Sequence, residues 1–171
     1  YPDFRREEVS ELRRQLTQTA GDSLPGEAVP NLGNQVIAPG ESHPAYNSTP
    51  PTSGWHYAVP SPWGVLTKPV QNEIQLRNLA LGGILLQYNP ETASESDLNE
   101  ITALVRSLRT SNPNNYCQIL VAPYENAESN IVLTAWTRID QLESYDRGRI
   151  VSFIDTFIGM GPDAGEVSCS L

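Results

Sequence analysis

Charge is scarce in this 171-residue sequence, and what there is leans acidic. Asp, Glu, Lys and Arg make up 18% of the chain, with 20 acidic against 11 basic side chains and a net charge of -9. A body of that sign repels phosphate backbones. No stripe of Lys and Arg interleaved with aromatics offsets it, which excludes nucleic-acid binding and attachment to anionic lipid through a basic surface. The one basic cluster, Arg5, Arg6, Arg13 and Arg14, sits among Glu7, Glu8 and Glu11 and reads as an internally neutralised helix face. No run approaches the roughly 18 apolar residues that cross a bilayer, so no transmembrane segment is expected. Histidine is almost as scarce, with His43 and His56 only, and neither has a partner at HxH or HxxxH spacing. GxGxxG and GxxxxGK[ST] are absent, and Gly82-Gly83 precedes a strand rather than joining strand to helix. No cofactor is expected.

What is present is enough to fold. Hydrophobic types reach 39% and are grouped into runs in the C-terminal two thirds, as one domain of this length requires. Two cysteines, Cys117 and Cys169, are too far apart for a CxxC redox pair or a metal pair. Cys117 opens an apolar run, whereas Cys169 lies in a polar tail where a free thiol would be reactive. A Cys117–Cys169 disulfide would pin that tail to the sheet and stabilise the fold by about 2–4 kcal/mol; two free thiols are the alternative. The chain begins at Tyr1 rather than Met, and Asn47-Ser48-Thr49 matches a glycosylation sequon. These features together point to a processed product of an extracytoplasmic, oxidising compartment.

Three regions follow one another. Residues 1–24 form an N-terminal arm, where Phe4, Val9, Leu12 and Leu16 set a narrow apolar stripe on a helix over 3–19. A stripe that narrow suits docking better than filling a core. Residues 25–171 form a single α/β domain whose first part, 25–69, holds nine of the 14 prolines. Regular structure cannot run through such a stretch, apart from a short strand near 35–37. Tyr46, Trp55, Tyr57 and Trp63 fall there too, so it is an ordered loop fastened by its aromatics. Beyond Pro69 the spacing predicts a helix over 72–80, a strand over 84–88 and a helix from a Ser94 or Ser96 cap to about 108. Strands over 116–121 and 131–136, free to pair antiparallel, and a helix over 145–158 complete it. The order strand–helix–strand–strand–helix gives a mixed α+β domain with a small mixed sheet, and a thioredoxin-like topology is one way to close it.

Candidates for chemistry are few. A metal or acid–base site would require His43, His56, Glu41 and Glu73 to converge from the loop region, with His56 the weak candidate ligand. Ser53-Gly54 beside His56 lacks the strand–turn–helix setting of a nucleophile elbow. Glu91, Glu95, Asp97 and Glu100 crowd a helix start, where the dipole accounts for them.

One run of motifs is recognisable. Tyr46-Asn47-Ser48-Thr49-Pro50-Pro51-Thr52-Ser53-Gly54-Trp55-His56-Tyr57 is followed by Asn78-Leu79-Ala80-Leu81-Gly82-Gly83-Ile84, then by Thr134-Ala135-Trp136 and a close near Gly161-Pro162. Over roughly residues 30–163 the chain resembles the bacterial family called domain of unknown function 3105, whose members are largely secreted or membrane-tethered. The resemblance implies a PPTSGxHY motif kept and an NLEHGG motif degenerated, with Ala80 and Leu81 where the family commonly has Glu and His. It also implies a histidine near Val36. Of that cluster only His56 stands here, and neither Ala80 nor Leu81 can bind a metal or move a proton.

The expectation is therefore a non-catalytic extracytoplasmic structural or interaction domain, an accessory subunit of a larger and conceivably membrane-bound assembly. Its protein partners would meet Phe4, Leu12, Trp55, Tyr57 and Trp63. A metal-binding protein or metal-dependent enzyme built around His56, and a small-ligand or pigment-binding module, are the alternatives.

Overall fold

A computed structural model describes residues 23–165. The expected arm, with Phe4 and Leu12, and Cys169 lie outside the described residues. Six strands form one mixed sheet in the order β1-β6-β5-β3-β4-β2. They are β1 (Glu27–Ala28), β2 (Gly64–Val65), β3 (Ile84–Tyr88), β4 (Ile119–Pro123), β5 (Ile131–Ala135) and β6 (Arg138–Leu142). Four helices accompany them among the described residues: α1 (Asn72–Ala80), α2 (Glu95–Ser111), the single turn α3 (Pro113–Tyr116) and α4 (Arg147–Phe157). β2, β4 and β3 run parallel, while β5, β6 and β1 alternate antiparallel from there. The mixed α+β class is as the sequence implied. A thioredoxin-like topology is not confirmed.

Alternation along the strands makes two cores. Ile84 and Leu86 of β3, Ile119 and Val121 of β4, and Ile131 and Leu133 of β5 face Ile101, Leu104 and Val105 of α2 and Ile150, Phe153 and Phe157 of α4. Leu85 and Leu120 point the other way, onto Leu76 and Leu79 of α1, with Tyr46, Trp63 and Trp136 against them. β3 is covered on both faces, and its apolar run Ile84-Leu85-Leu86 follows from that. α2 starts where Ser94 Oγ accepts from the Asp97 amide at 3.0 Å, and α4 where the Asp146 carboxylate accepts from the Arg149 amide.

Three expectations need correction. The strands over 116–121 and 131–136 do not pair with each other: β3 lies between β4 and β5, taking β4 in parallel and β5 antiparallel. Neighbours in sequence usually pair, but the wholly buried β3 needs a partner on each side. Residues 113–116 are helical because Pro113 opens a turn at its first position, which delays β4 to Ile119. The strand near 35–37 reduces to a single bridge between Val36 and His56.

Periodicity missed the two-residue strands β1 and β2, which fall in the proline-rich stretch, and it missed the longer β6. Its core-facing side carries Arg138 and Asp140, 5% and 6% exposed, and only then an apolar residue, Leu142. Arg138 donates to the carbonyls of Leu24, Pro25 and Gly26 and lies 5.2 Å over the Phe157 ring. Asp140 takes a two-pronged bond from Arg149, at 2.9 and 2.5 Å. The hairpin leading into β6 turns on Trp136-Thr137, with Thr137 at φ 61, a conformation that a β-branched residue rarely adopts and that no Asn-Gly signal announces.

At Gly82-Gly83 the chain leaves α1 and enters β3. A Cβ on Gly83 would stand 2.5 Å from the Trp63 ring and 2.7 Å from the Asn78 carbonyl, whereas one on Gly148 in α4 would meet nothing nearer than 3.8 Å. Gly83→Ala therefore lowers stability by about 1–3 kcal/mol. Gly148→Ala raises it by roughly 0.4–1 kcal/mol. Urea denaturation of the two variants beside the parent checks both signs.

Candidate functional site: a histidine sealed beneath a proline loop

Two prolines and a glycine keep residues 49–57 out of helix and sheet, so the backbone must find partners elsewhere. It finds them one at a time. The Thr52 carbonyl accepts from the Thr137 amide, the Gly54 amide donates to Gly33, and the His56 amide donates to Gln35. The His56 carbonyl accepts from Ile37, and the Tyr57 amide donates to the Glu73 carbonyl in α1. Ser53 Oγ accepts from the Leu32 amide at 2.9 Å, and Tyr46 donates its hydroxyl to the Trp55 carbonyl at 2.7 Å. The Thr49–Pro50 peptide is cis. Gly54 sits at φ 120 with the Tyr46 ring 3.0 Å from where a Cβ would be, which leaves room for glycine alone. Thr52, Ser53 and His56 end with no exposed surface.

His56 Nδ1 lies 3.0 Å from the Gly54 carbonyl. A carbonyl only accepts, so Nδ1 carries the proton and Nε2 presents a lone pair. That lone pair has no hydrogen-bond partner, and neither do the hydroxyls of Thr52 and Thr134. The ring meets the Trp136 indole edge-on at 6.2 Å. Burial pushes the His56 pKa below the ordinary 6.5, and the Arg77 charge pushes the same way against the Gly54 carbonyl and Asp163. His56 is a neutral, buried imidazole.

Polar groups that the sequence did not single out hold the surroundings. Asn78 exchanges bonds with the Ser61 backbone, accepting at 2.9 Å and donating at 3.0 Å. Gln75 and Gln87 face each other across α1 and β3, with 2.9 Å for the shorter contact. Arg77 ties the Ala58 carbonyl to the Asp163 carboxylate, which also accepts from Asn34. The signal for Asn78 was its place at the head of the Asn78–Gly83 motif; Gln75, Gln87 and Asp163 gave none.

The expected convergence of four residues does not form. His43 meets Glu73 at 3.2 Å, while His56 is held apart by its own loop, and Glu41 is exposed. Among the described residues no group of three or more His, Cys, Asp and Glu could hold a metal ion. Trp63 is partly buried, packed against the Leu76–Leu79 cluster and Gly83, and Trp55 and Tyr57 are likewise half-buried in the loop. Asp155 is exposed and accepts from the Tyr116 hydroxyl at 2.7 Å. It borders an open depression of about 410 Å³ shared with Asn114 and Gln118; a second, of about 470 Å³, lies between Glu27 and Arg149. Neither is lined by the His56 loop. Asp97 accepts from the Tyr145 amide as well as standing in the first turn of α2, a structural task. No helix of the described residues is long and apolar enough to cross a membrane.

The family model described as "Protein of unknown function (DUF3105)" matches residues 40–170. The chain belongs to this family. No curated protein and no solved structure matches it. The DUF3105 match takes in residues 49–57 of the proline loop, α1 and every strand of the sheet but β1. Within it, the positions where the resemblance placed Glu and His are Ala80 and Leu81, 0% and 1% exposed among core side chains. Val36, where it placed a histidine, bridges His56 through the backbone and is 48% exposed.

The depressed pKa of His56 has a signed consequence. Below pH 6.5 the unfolded chain takes up a proton that the folded one refuses. Its contribution to stability is thus complete above pH 6.5 and is lost as pH falls from there through the folded pKa. Denaturation midpoints measured over about pH 5–8 fall on the acid side in the parent, and His56→Gln shows a smaller fall. An equal fall in both proteins refutes the assignment.

Proposed function

We propose that this DUF3105 chain is a non-catalytic, extracytoplasmic structural or interaction domain, an accessory subunit of a larger assembly, membrane-bound assemblies included. The carrying observation is the state of the one histidine left in the motif region. His56 is sealed at zero exposure, and the residues standing at the implied Glu and His positions are the buried Ala80 and Leu81. An imidazole kept from solvent and from a carboxylate partner has no proton to exchange with a substrate. Apolar side chains do break the surface beside the same loop: Leu32, Val36 and Val59 are 37%, 48% and 74% exposed. With half-buried Trp55 and Tyr57 they offer shape and apolar area, which is what a partner would bind. Phe4 and Leu12 of the arm and a Cys117–Cys169 disulfide belong to the same reading. Cys117 is 9% exposed, and no cysteine of the described residues is free.

One observation favours the second reading, a metal-binding protein. The Nε2 lone pair of His56 is unpartnered while Nδ1–H is anchored on a carbonyl, the arrangement that orients a ligating imidazole. Native isolation separates the two. The structural reading expects a protein that copurifies with a defined partner in stoichiometric amount. Val36→Asp with Val59→Asp would then weaken that capture while leaving the denaturation midpoint unchanged. An isolated chain carrying a stoichiometric, tightly held ion establishes the second reading instead. The disulfide is tested on the same material: the unreduced intact mass should be two hydrogens lighter than the reduced one. Alkylation of both cysteines without reductant would remove the disulfide and with it the argument for an oxidising compartment.

A further inference from the structure

His43 is bonded in a way that a neutral imidazole cannot be. Nδ1 lies 2.8 Å from the Pro44 carbonyl and Nε2 lies 3.2 Å from the Glu73 carboxylate. Both neighbours only accept, so both ring nitrogens must donate, and only the imidazolium carries two N–H groups. The ring also stacks on Tyr46, with centroids 4.6 Å apart and planes at 27°, a face that attracts a cation. The side chains of His43 and Glu73 are 19% and 25% exposed, so the contact is largely shielded from solvent.

The position of this ring matters because of what hangs from it. Tyr46, under the ring, holds the Trp55 carbonyl next to His56. Glu73, on the other side, lies in the first turn of α1 and takes the Tyr57 amide on its own carbonyl. His43 thus joins the beginning of the proline loop to the helix that receives its end. We propose that His43 is a pH-sensitive latch, whose imidazolium clamps residues 43–57 to the start of α1 in mild acid and whose deprotonation loosens that clamp.

The groups facing it agree in sign. Glu73 on α1 is the anion in contact, and Glu41 stands two residues away in its own segment. The phenol of Tyr46, its pKa raised by burial, is neutral in this range. Tyr124, at the end of β4, donates to Asn72 beside Glu73 and is likewise neutral. The His43 pKa is raised above 6.5, first by the Pro44 carbonyl and then, against a desolvation that opposes it, by Glu73. A raised folded pKa means that the clamp contributes fully below pH 6.5 and is lost as pH climbs through the folded value. That limb runs opposite to the one set by His56, so each histidine is read from its own signal.

The test is a nuclear magnetic resonance titration of the full chain over the imidazole range. The expected result is a His43 pKa above 6.5, with the amide signals of Trp55, His56 and Tyr57 shifting along the same curve. Glu73→Gln should move that pKa down, and His43→Gln should abolish the shared curve in the loop amides. If Glu73→Gln does not fold, the parent decides alone through its ring nitrogens, both of which should be protonated on the acid side of neutrality. A His43 pKa at or below 6.5, or loop amides that ignore its titration, overturns the latch.

Discussion

A proline-rich segment that is buried must satisfy a polar backbone without helix or sheet, and the rest of this structure is arranged around that constraint. Pro50 to Gly54 are all buried, in a stretch where ladder hydrogen bonds cannot form. Their partners come singly from Gly33, from the β5–β6 turn at Thr137 and, just beyond them, from Gln35 and from Glu73 in α1. The left-handed Thr137 is where it is because its amide reaches the Thr52 carbonyl. α1 lies across the sheet at the place where Asn78 can hold Ser61 and Glu73 can hold Tyr57. Loop, helix and hairpin turn are therefore fixed together while the His43 clamp is closed.

The same constraint shapes the chemistry. One face of the sheet is closed by aliphatic and phenylalanine side chains from α2 and α4. The other is closed by a mixture: Leu76, Leu79 and Trp63 beside the Gln75–Gln87 pair, Asn78 and His56. Amides and hydroxyls make up most of that polar set. They hold position well and do not change protonation at ordinary pH. Charged pairs among the described residues join separate segments: Arg77 with Asp163, Arg149 with Asp140, and His43 with Glu73 when the imidazole is protonated. Polarity on the loop face works as fastening, which agrees with a DUF3105 scaffold in which Ala80 and Leu81 occupy the turn before β3.

Much of this was legible in the sequence, for physical reasons. α1 and β3 have the bounds that periodicity and the Gly82-Gly83 stop implied, and Ser94 caps α2 as its side chain allows. The single ordered loop followed from aromatic residues among prolines, since Trp63 and Tyr46 bring more apolar area than a free linker would carry. β6 was illegible because Arg138 and Asp140 occupy its inward side, the first met by backbone carbonyls of residues 24–26 far away in sequence and the second by Arg149 on the next helix. The placement of β3 between β4 and β5 was missed because adjacency is a local rule, whereas the demand of a doubly buried strand is a tertiary one. At the site, the place of His56 in an ordered aromatic loop was legible. The contact of His43 with Glu73 rests on a 30-residue separation that spacing alone cannot reveal.

Amide hydrogen exchange tests most directly whether the proline loop is a core element. Below pH 6.5, where the His43 clamp is closed, the amides of Ile37, His56 and Tyr57 should exchange as slowly as those of Leu85 and Leu86 in β3, since all then open only when the domain does. Fast exchange at Ile37, His56 and Tyr57 while β3 stays protected would mean a loop that opens by itself, exposing His56 to solvent and contradicting the account.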